Sequence, residues 1–384
     1  MENKLNTKRK VFVRTFGCQM NARDSEIIAG LLKAEGYRLT DSPKGADILL
    51  FNTCSVRQHA EDKVWSEIGT YKYRDGHSKK RIIGLVGCMA QNYKEKVFSR
   101  AGNVDFVVGP NDIDKIPSII KKLSDKKFFE AKIWETGGIT RPGHMYHTGF
   151  YEDKTHASVV ISEGCSNFCS YCVVPYVRGA LRHRDHKDIL KEIEEAVGQG
   201  LTAITLLGQN VNAYRHGDVD FVRLLELVNK IEGLESFNFI TSHPKDTSEA
   251  LFKVMAGSDR LQKYLHLPVQ SGADRILALM NRGYTRKFYL ELADKYRRIV
   301  PGAVLTTDII VGFPAETEED FHQTYTLVKG AEFDAAFIFK YSPRPGTEAA
   351  KMADDVPRKE KERRHKLILD LQKDISKKKK CVKK

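Results

Sequence analysis

The stretch Ala157–Val173 reads ASVVISEGCSNFCSYCV. Its first five residues, Ala157–Ile161, are mostly apolar and rich in β-branched side chains, which predicts a short buried strand. Directly behind it, Cys165, Cys169 and Cys172 form the spacing C-x3-C-x2-C. The carboxyl ends of strands are where α/β sheets and barrels assemble their sites. Three thiolates on one such loop can hold three irons of a [4Fe–4S] cluster and leave the fourth iron open to a small chelating molecule. Zinc also suits short cysteine spacings, but a structural zinc needs a fourth ligand, and no His or Cys stands at matching spacing inside the motif. Three unrelated surface thiols are the remaining reading.

Working outward, the strand at Ala157–Ile161 opens a series. Ala203–Leu207, Phe237–Thr241, Tyr264–Pro268, Val304–Val311 and Ala335–Lys340 repeat its apolar character. Helical patterns separate them, among them Ile189–Val197, Phe221–Ile231, Arg286–Ile299 and Glu318–Val328. Six βα units predict a partial (βα)6 barrel and not a closed eight-stranded one. A second alternating series precedes it. Lys10–Thr15, Ala46–Asn52, Ile82–Gly87 and Asp105–Gly109 read as strands, and Asp24–Glu35, Ala60–Tyr73 and Gln91–Ser99 as helices, an order that predicts a parallel sheet with covering helices. Between the two series, Thr136–Tyr151 is rich in Gly, Pro, His and Thr and reads as linker. A last helix is expected from about Pro357, with Leu367, Leu371 and Ile375 on one face. The expected organisation is an α/β chain: residues 9–125 a first domain, 126–150 a linker, 151–357 the barrel, and 358–384 a C-terminal helix with a basic tail.

The first series carries its own triad. Cys18 follows the first strand, Cys54 the second, and Cys88 closes the third, 36 and 34 residues apart. Each interval is one βα unit, so in a parallel sheet the three thiols share one edge. Their neighbours Gly17, Thr53 and Gly87 are small and permit close approach. A free buried Cys behaves as a small hydrophobe, which would explain any one of these positions but not three at one end of one sheet. A second metal cluster is the expectation. Cys381, in the tail, reads as a bystander.

Composition limits the rest. Hydrophobic residues make up 41% and charged residues 29% of 384, a globular balance that excludes disorder and fibres. The longest apolar runs, such as Val304–Phe313, are broken by polar residues and fall short of the roughly 20 a membrane span requires. The polar, basic start has no apolar segment of a signal peptide, so a cytoplasmic protein with no membrane partner is expected. The net charge is +13, of which Arg358–Lys384 supplies +9, leaving +4 for the body. Such a tail is either a solvated helix end or an attraction for a polyanion such as nucleic acid.

The motifs in order are Thr15–Asn21 (TFGCQMN), Asn52–Arg57 (NTCSVR), Gly87–Gln91 (GCMAQ), Glu163–Gly179 (EGCSNFCSYCVVPYVRG), Leu206–Asn212 (LLGQNVN), Ser242–Asp246 (SHPKD), His266–Gly272 (HLPVQSG), Met280–Thr285 (MNRGYT), Thr307–Asp320 (TDIIVGFPAETEED) and Phe339–Thr347 (FKYSPRPGT). Together they make the chain resemble the radical S-adenosylmethionine methylthiotransferases, most of all the type that makes 2-methylthio-N6-isopentenyladenosine in tRNA. The resemblance implies two [4Fe–4S] clusters, one on Cys18, Cys54 and Cys88 and one on Cys165, Cys169 and Cys172, with S-adenosylmethionine at the second. It implies methylthiolation at C2 of the isopentenyladenosine at position 37 of tRNA, next to the anticodon. Two relatives offer alternatives: one modifies threonylcarbamoyl-adenosine in tRNA, the other an aspartate of a ribosomal protein. From a different class, a zinc-stabilised RNA-binding protein without catalysis is the competing reading. The chain departs from the family pattern at Leu181 and His183, where an acidic residue and a serine are common. It also stops about where the family's small RNA-binding barrel would begin.

The implied chemistry suits these parts. The C2–H of an adenine is not acidic, so no side chain removes it as a general base at neutral pH, and a cofactor must supply a radical. Gly208, Gln209 and Asn210 end the second barrel strand, where a contact to the methionine part of the cofactor is expected. Ser242, His243 and Gln270 end later strands and could face it too; a polar strand cap is the plain reading of each. Gly312–Pro314 reads as a turn shaping the pocket. Arg178, Lys340 and Arg344 are candidates for phosphate contact. tRNA, an electron donor and a sulfur source of unknown identity are the expected partners, and the chain is expected to be a monomer.

Overall fold

The computed structural model describes residues 9–55, 58–71, 81–128 and 130–382. The chain divides into two units. The first takes the chain up to Lys154 together with Tyr176–Gly179, and the second takes Thr155–Pro175 and everything from Ala180 on.

The first unit is built on six parallel strands: β1 (Lys10–Thr15), β2 (Arg38–Leu39), β3 (Ile48–Thr53), β4 (Ile82–Gly87), β5 (Phe106–Val108) and β6 (Ile133–Glu135), in the spatial order β2-β1-β3-β4-β5-β6. β3 and β4 are buried along their whole length, as central strands of a sheet covered on both faces must be. One face packs Leu49, Phe51, Ile83 and Leu85 against Val64, Ile68, Met89 and Val97. Burying each such side chain contributes about 1.5–3 kcal/mol. Gly84 leaves room for the ring of Phe106, which occupies the place its Cβ would take. The expected helix at Gln91–Ser99 is two short ones, Cys88–Tyr93 and Lys96–Arg100, and the helix expected at Ala60–Tyr73 runs Gln58–Thr70; residues 72–80 lie outside the described ones.

The segment expected as linker is part of this unit. Ile133–Glu135 pairs with β5 as its sixth strand. Beyond it, Arg23 of helix α1 (Gln19–Ala34) donates to the carbonyls of Tyr146 and Phe150 and lies over the ring of Tyr151 at 4.6 Å. Thr148 fills the space left by Gly30. The lack of periodicity was a correct sign of irregular backbone, but irregular backbone can still be packed when a buried arginine satisfies its carbonyls.

The second unit carries six parallel strands, β7 (His156–Val160), β8 (Ala203–Leu207), β9 (Ser236–Phe239), β10 (Tyr264–His266), β11 (Val304–Val311) and β12 (Ala335–Lys340). They form two three-stranded sheets, β9-β8-β7 and β10-β11-β12. A parallel bridge between Phe237 and Leu261 joins them. This is the α/β partial barrel expected, with strands within two residues of their expected bounds. Two short antiparallel pairs decorate it, Ser162–Glu163 with Arg182–His183 and Arg215–His216 with Val219–Asp220.

The last helix spans Arg358–Val382, directly after Pro357. Its buried face differs from the one expected. Leu367 is exposed, and the face turned inward carries Lys361, Arg364, Ile368, Gln372 and Ile375. Polar groups reach specific partners there. Arg364 donates to Glu316, Gln372 to the Phe333 carbonyl, and His365 Nε2 lies 3.1 Å from the Ile338 carbonyl. The long stems of Lys and Arg supply apolar surface that a hydrophobicity count overlooks. The Cys381 side chain lies outside the described residues. No described helix is long and apolar enough to cross a membrane.

Candidate metal centres

Parallel pairing sets β1, β3 and β4 side by side with matched ends: Thr15 opposes Asn52, and Thr53 opposes Gly87. The residues that follow therefore emerge at one edge. Cys18 caps α1 without a side-chain cap bond, Cys54 follows β3, and Cys88 begins its short helix. Gly17 (φ +129°) and Gly87 (φ +92°) hold backbone conformations that side chains rarely adopt. A Cβ on Gly17 would collide with the Cys54 side chain; one on Gly87 would lie 2.5 Å from Asn52 Oδ1 and 2.7 Å from the Thr53 carbonyl.

Beneath the thiols runs a buried amide pair. Asn21 Oδ1 lies 3.4 Å from Cys18 Sγ, and Asn21 Nδ2 donates to Asn52 Oδ1 (3.0 Å) and the Thr53 carbonyl (3.1 Å). Asn52 Nδ2 donates to the Asn21 carbonyl and to Ser25 Oγ, at 2.8 and 2.9 Å. Both asparagines are fully buried. The pair ties the first turn of α1, which Cys18 caps, to the end of β3, which Cys54 follows. Asn21 and Asn52 stand in quoted motifs but were not singled out; their only sequence signal is that an amide so near a strand end needs a partner.

The electrostatics separate the thiols. A hydrogen bond with Cys54 pulls the Cys18 thiol down to about 6, against burial and with help from the Arg178 charge. Burial pushes the Cys88 thiol up, with Arg178 opposing. Arg178 is not the outward phosphate contact the sequence suggested. It is buried, its Nε donates to Cys88 Sγ at 3.3 Å, and its Nη2 donates to Asp24 at 2.7 Å. Arg141 holds the other oxygen of Asp24, also at 2.7 Å. The two guanidiniums keep the Asp24 carboxyl below its ordinary range despite full burial.

In the second unit, Cys165, Cys169 and Cys172 lie on the loop after β7. The loop is held from the segment Leu279–Arg282. Ser170 N–H and Oγ donate to the carbonyls of Met280 and Leu279, and Asn281 Nδ2 reaches the carbonyls of Asn167 and Phe168, whose φ is +45°. Arg282, buried, donates to Cys169 Sγ at 3.2 Å and to the Pro268 carbonyl at 2.9 Å. Burial, then repulsion from Cys169, pushes the Cys172 thiol up to about 12, and burial raises Cys165 as well. Such thiols stay neutral until a metal displaces the proton.

The six residues expected at the cofactor also lie at strand ends of the second unit. Gln209 Oε1, Asn210 Oδ1, Ser242 Oγ, His243 Nε2 and Gln270 Oε1 are buried without a hydrogen-bond partner, as is Ser162 Oγ. Gly208 has no room for a side chain, because Ser162 Oγ stands where its Cβ would be. Each orphaned polar atom costs about 1–3 kcal/mol, a cost that a polar ligand bonded to it would offset. Burial, aided by Arg282 and Lys245, drives His243 down to about 2, so its ring is neutral. Its Nδ1 accepts from the Lys245 N–H, which leaves Nε2 as the protonated donor. Gln270 is held at φ +70°, costly for a non-glycine and common at functional sites. Gly312 is the turn expected, its N–H donating to Glu316 at 2.7 Å. Lys340 is half-exposed and lies 3.8 Å from Glu362, and Arg344 is buried.

Residues 10–109 match the model of Uncharacterized protein family UPF0004, and residues 159–328 that of the Radical SAM superfamily. A tRNA-2-methylthio-N(6)-dimethylallyladenosine synthase of Carboxydothermus hydrogenoformans is 43% identical over 374 residues, 96% of this chain and 84% of that one. The protein of the same name from Clostridium novyi is 45% identical over 358 residues, 91% of this chain and 78% of that one. Among solved structures, the radical S-adenosylmethionine methyltransferase TsrM from Kitasatospora setae aligns with a TM-score of 0.63 at 13% identity, over 89% of this chain and 75% of that one. The cobalamin-dependent S-adenosylmethionine radical enzyme OxsB aligns with a TM-score of 0.56, also at 13% identity, over 96% and 56%. At such identities these two structures share the fold alone. The match to the synthases, by contrast, is above 40% identical and covers more than nine-tenths of the chain, and the chain belongs to the tRNA-2-methylthio-N(6)-dimethylallyladenosine synthase family of radical SAM enzymes.

Proposed function

We propose that this enzyme methylthiolates C2 of N6-isopentenyladenosine at position 37 of tRNA, using one [4Fe–4S] cluster on Cys165, Cys169 and Cys172 with S-adenosylmethionine, and a second on Cys18, Cys54 and Cys88. The observation that carries the reading is the first triad. Thiols from three separate βα units meet at one sheet edge, above a buried amide pair. A radical SAM domain alone needs only the second triad; sulfur transfer needs a further site. The names of the 41–45% identical relatives supply the substrate.

When bound, the cluster and S-adenosylmethionine supply one-electron chemistry able to break a C–H bond that no side chain can deprotonate. The chain's own residues hold and orient. Cys165, Cys169 and Cys172 would hold the cluster through their thiolates. Gln209, Asn210, Ser242 and Gln270 offer unpaired polar atoms to the cofactor, and His243 offers a hydrogen-bond donor that stays neutral across the physiological range. Mass analysis of tRNA nucleosides from a strain lacking the gene tests the proposal. The methylthio nucleoside should vanish, its isopentenyladenosine precursor should accumulate, and the wild-type gene should restore it. Intact methylthiolation of isopentenyladenosine, with loss on threonylcarbamoyl-adenosine or on a ribosomal protein, would overturn it.

A further inference from the structure

We propose that Arg178 is a positioning residue that raises the reduction potential of the iron–sulfur group on Cys18, Cys54 and Cys88, an inference that rests on reading that triad as a cluster site. Arg178 ends the short helix Val174–Arg178 and belongs to the first unit through the segment Tyr176–Gly179. Its guanidinium is held on two sides, by Asp24 through Nη2 and by Cys88 Sγ through Nε. Asp24 is clamped in turn by Arg141, whose Nε donates to the Pro110 carbonyl at 2.7 Å. The chain thus aims a rigid, planar, permanently charged donor at one sulfur of the triad. Lysine could supply the charge but not the two-sided fork.

A neutral thiol is a weak acceptor for a buried guanidinium. A thiolate bound to iron is a far better one, since hydrogen bonds to an ionised partner are roughly twice as strong. Adding an electron makes such a group more negative. A cation and N–H donor at its sulfur therefore favours the reduced form, and hydrogen bonds to sulfur, net charge and exposure are what set the potentials of these clusters. The second triad repeats the device, with Arg282 donating to Cys169 Sγ. Arg178 has one further property. It lies six residues after Cys172, so the polypeptide that carries the second triad also delivers the donor for the first.

The test uses the full chain with Cys165, Cys169 and Cys172 replaced by Ala, reconstituted anaerobically so that iron reports the first triad alone. Iron is measured first, then the midpoint potential by a redox titration followed by electron paramagnetic resonance. Arg178→Met should keep its iron and lose about a tenfold preference for the reduced form, a downward shift of about 59 mV for one electron. Arg178→Lys should shift less, in the same direction. If both variants keep iron and the parent's potential, the proposal is overturned. A parent chain without iron would bring down the cluster reading itself, and the iron assay tells that apart before any titration. Should Arg178→Met lose its circular dichroism signal, Arg178→Lys carries the test.

Discussion

Replacing Gly87 by Ala probes whether close approach of backbone shapes the first triad. Gly87 sits at φ 92° and ψ −155°, a region essentially confined to glycine, where another residue costs about 1–3 kcal/mol. Space adds a second cost. The new methyl would stand 2.5 Å from Asn52 Oδ1 and 2.7 Å from the Thr53 carbonyl. Neither can swing aside, because Asn52 Oδ1 is bound by Asn21, and the Thr53 carbonyl is backbone beside Cys54. Displacing them breaks a buried hydrogen bond and leaves a partner unsatisfied, about 1–3 kcal/mol more. The two contributions sum to roughly 2–6 kcal/mol. Gly36→Ala is the control: φ is +82° there, with nothing within 4 Å of the new Cβ. It should cost only the conformational share, about 1–2 kcal/mol. Urea unfolding of both variants gives the difference, and iron content after anaerobic reconstitution gives the consequence, since Cys88 is the next residue. Gly87→Ala should be the less stable of the two by at least 1 kcal/mol and should hold about half the wild-type iron. Equal stabilities with full iron in both would refute the reasoning.

Other expectations follow from the same geometry. Wild-type protein should take up about eight irons per chain, and the triple Ala variant at Cys165, Cys169 and Cys172 should keep about half of it and lose cleavage of S-adenosylmethionine. The triple variant at Cys18, Cys54 and Cys88 should still cleave S-adenosylmethionine but form no methylthio product; product formation would make that triad structural. In iron-free protein, Cys18 should be alkylated at pH 7 and protected below about pH 6, because a lowered thiol is thiolate above its own value, while Cys172 should stay unmodified until the pH nears 12; peptide mass mapping reads both. Ending the chain after Ser376 removes Lys377, Lys378, Lys379, Lys380, Lys383 and Lys384 and should weaken tRNA binding with a shallower salt dependence, each lost phosphate contact lowering the log–log slope by roughly 0.7 to 0.9. The same truncation should scarcely change the melting temperature, since among the described residues the ion pair it removes, Lys379 with Asp334, is peripheral to the buried helix face.

Periodicity, local spacing and motif content were enough to read the two alternating series, the partial barrel and both triads. Each depends on neighbours along the chain or on a repeat of one βα unit. The strand Ile82–Gly87 and the helix Arg286–Ile299 were legible to the residue because burial on both faces, or on one stripe, writes itself into the order of side chains. Tertiary structure alone decided where the charged and irregular parts went. Arg178 looks the same in sequence whether it meets solvent, a phosphate or Cys88; what buries it is Asp24, 154 residues away and already clamped by Arg141. The Gly- and Pro-rich stretch after β6 became part of the first unit because Arg23 supplies donors to its carbonyls, a contact spanning more than 120 residues. The last helix turned its Arg364 and Gln372 inward because Glu316 and the Phe333 carbonyl were there to receive them. An apolar side chain is buried by water wherever it stands, so its pattern is local; a polar one is buried only if a partner arrives from elsewhere, and the partner is a property of the fold.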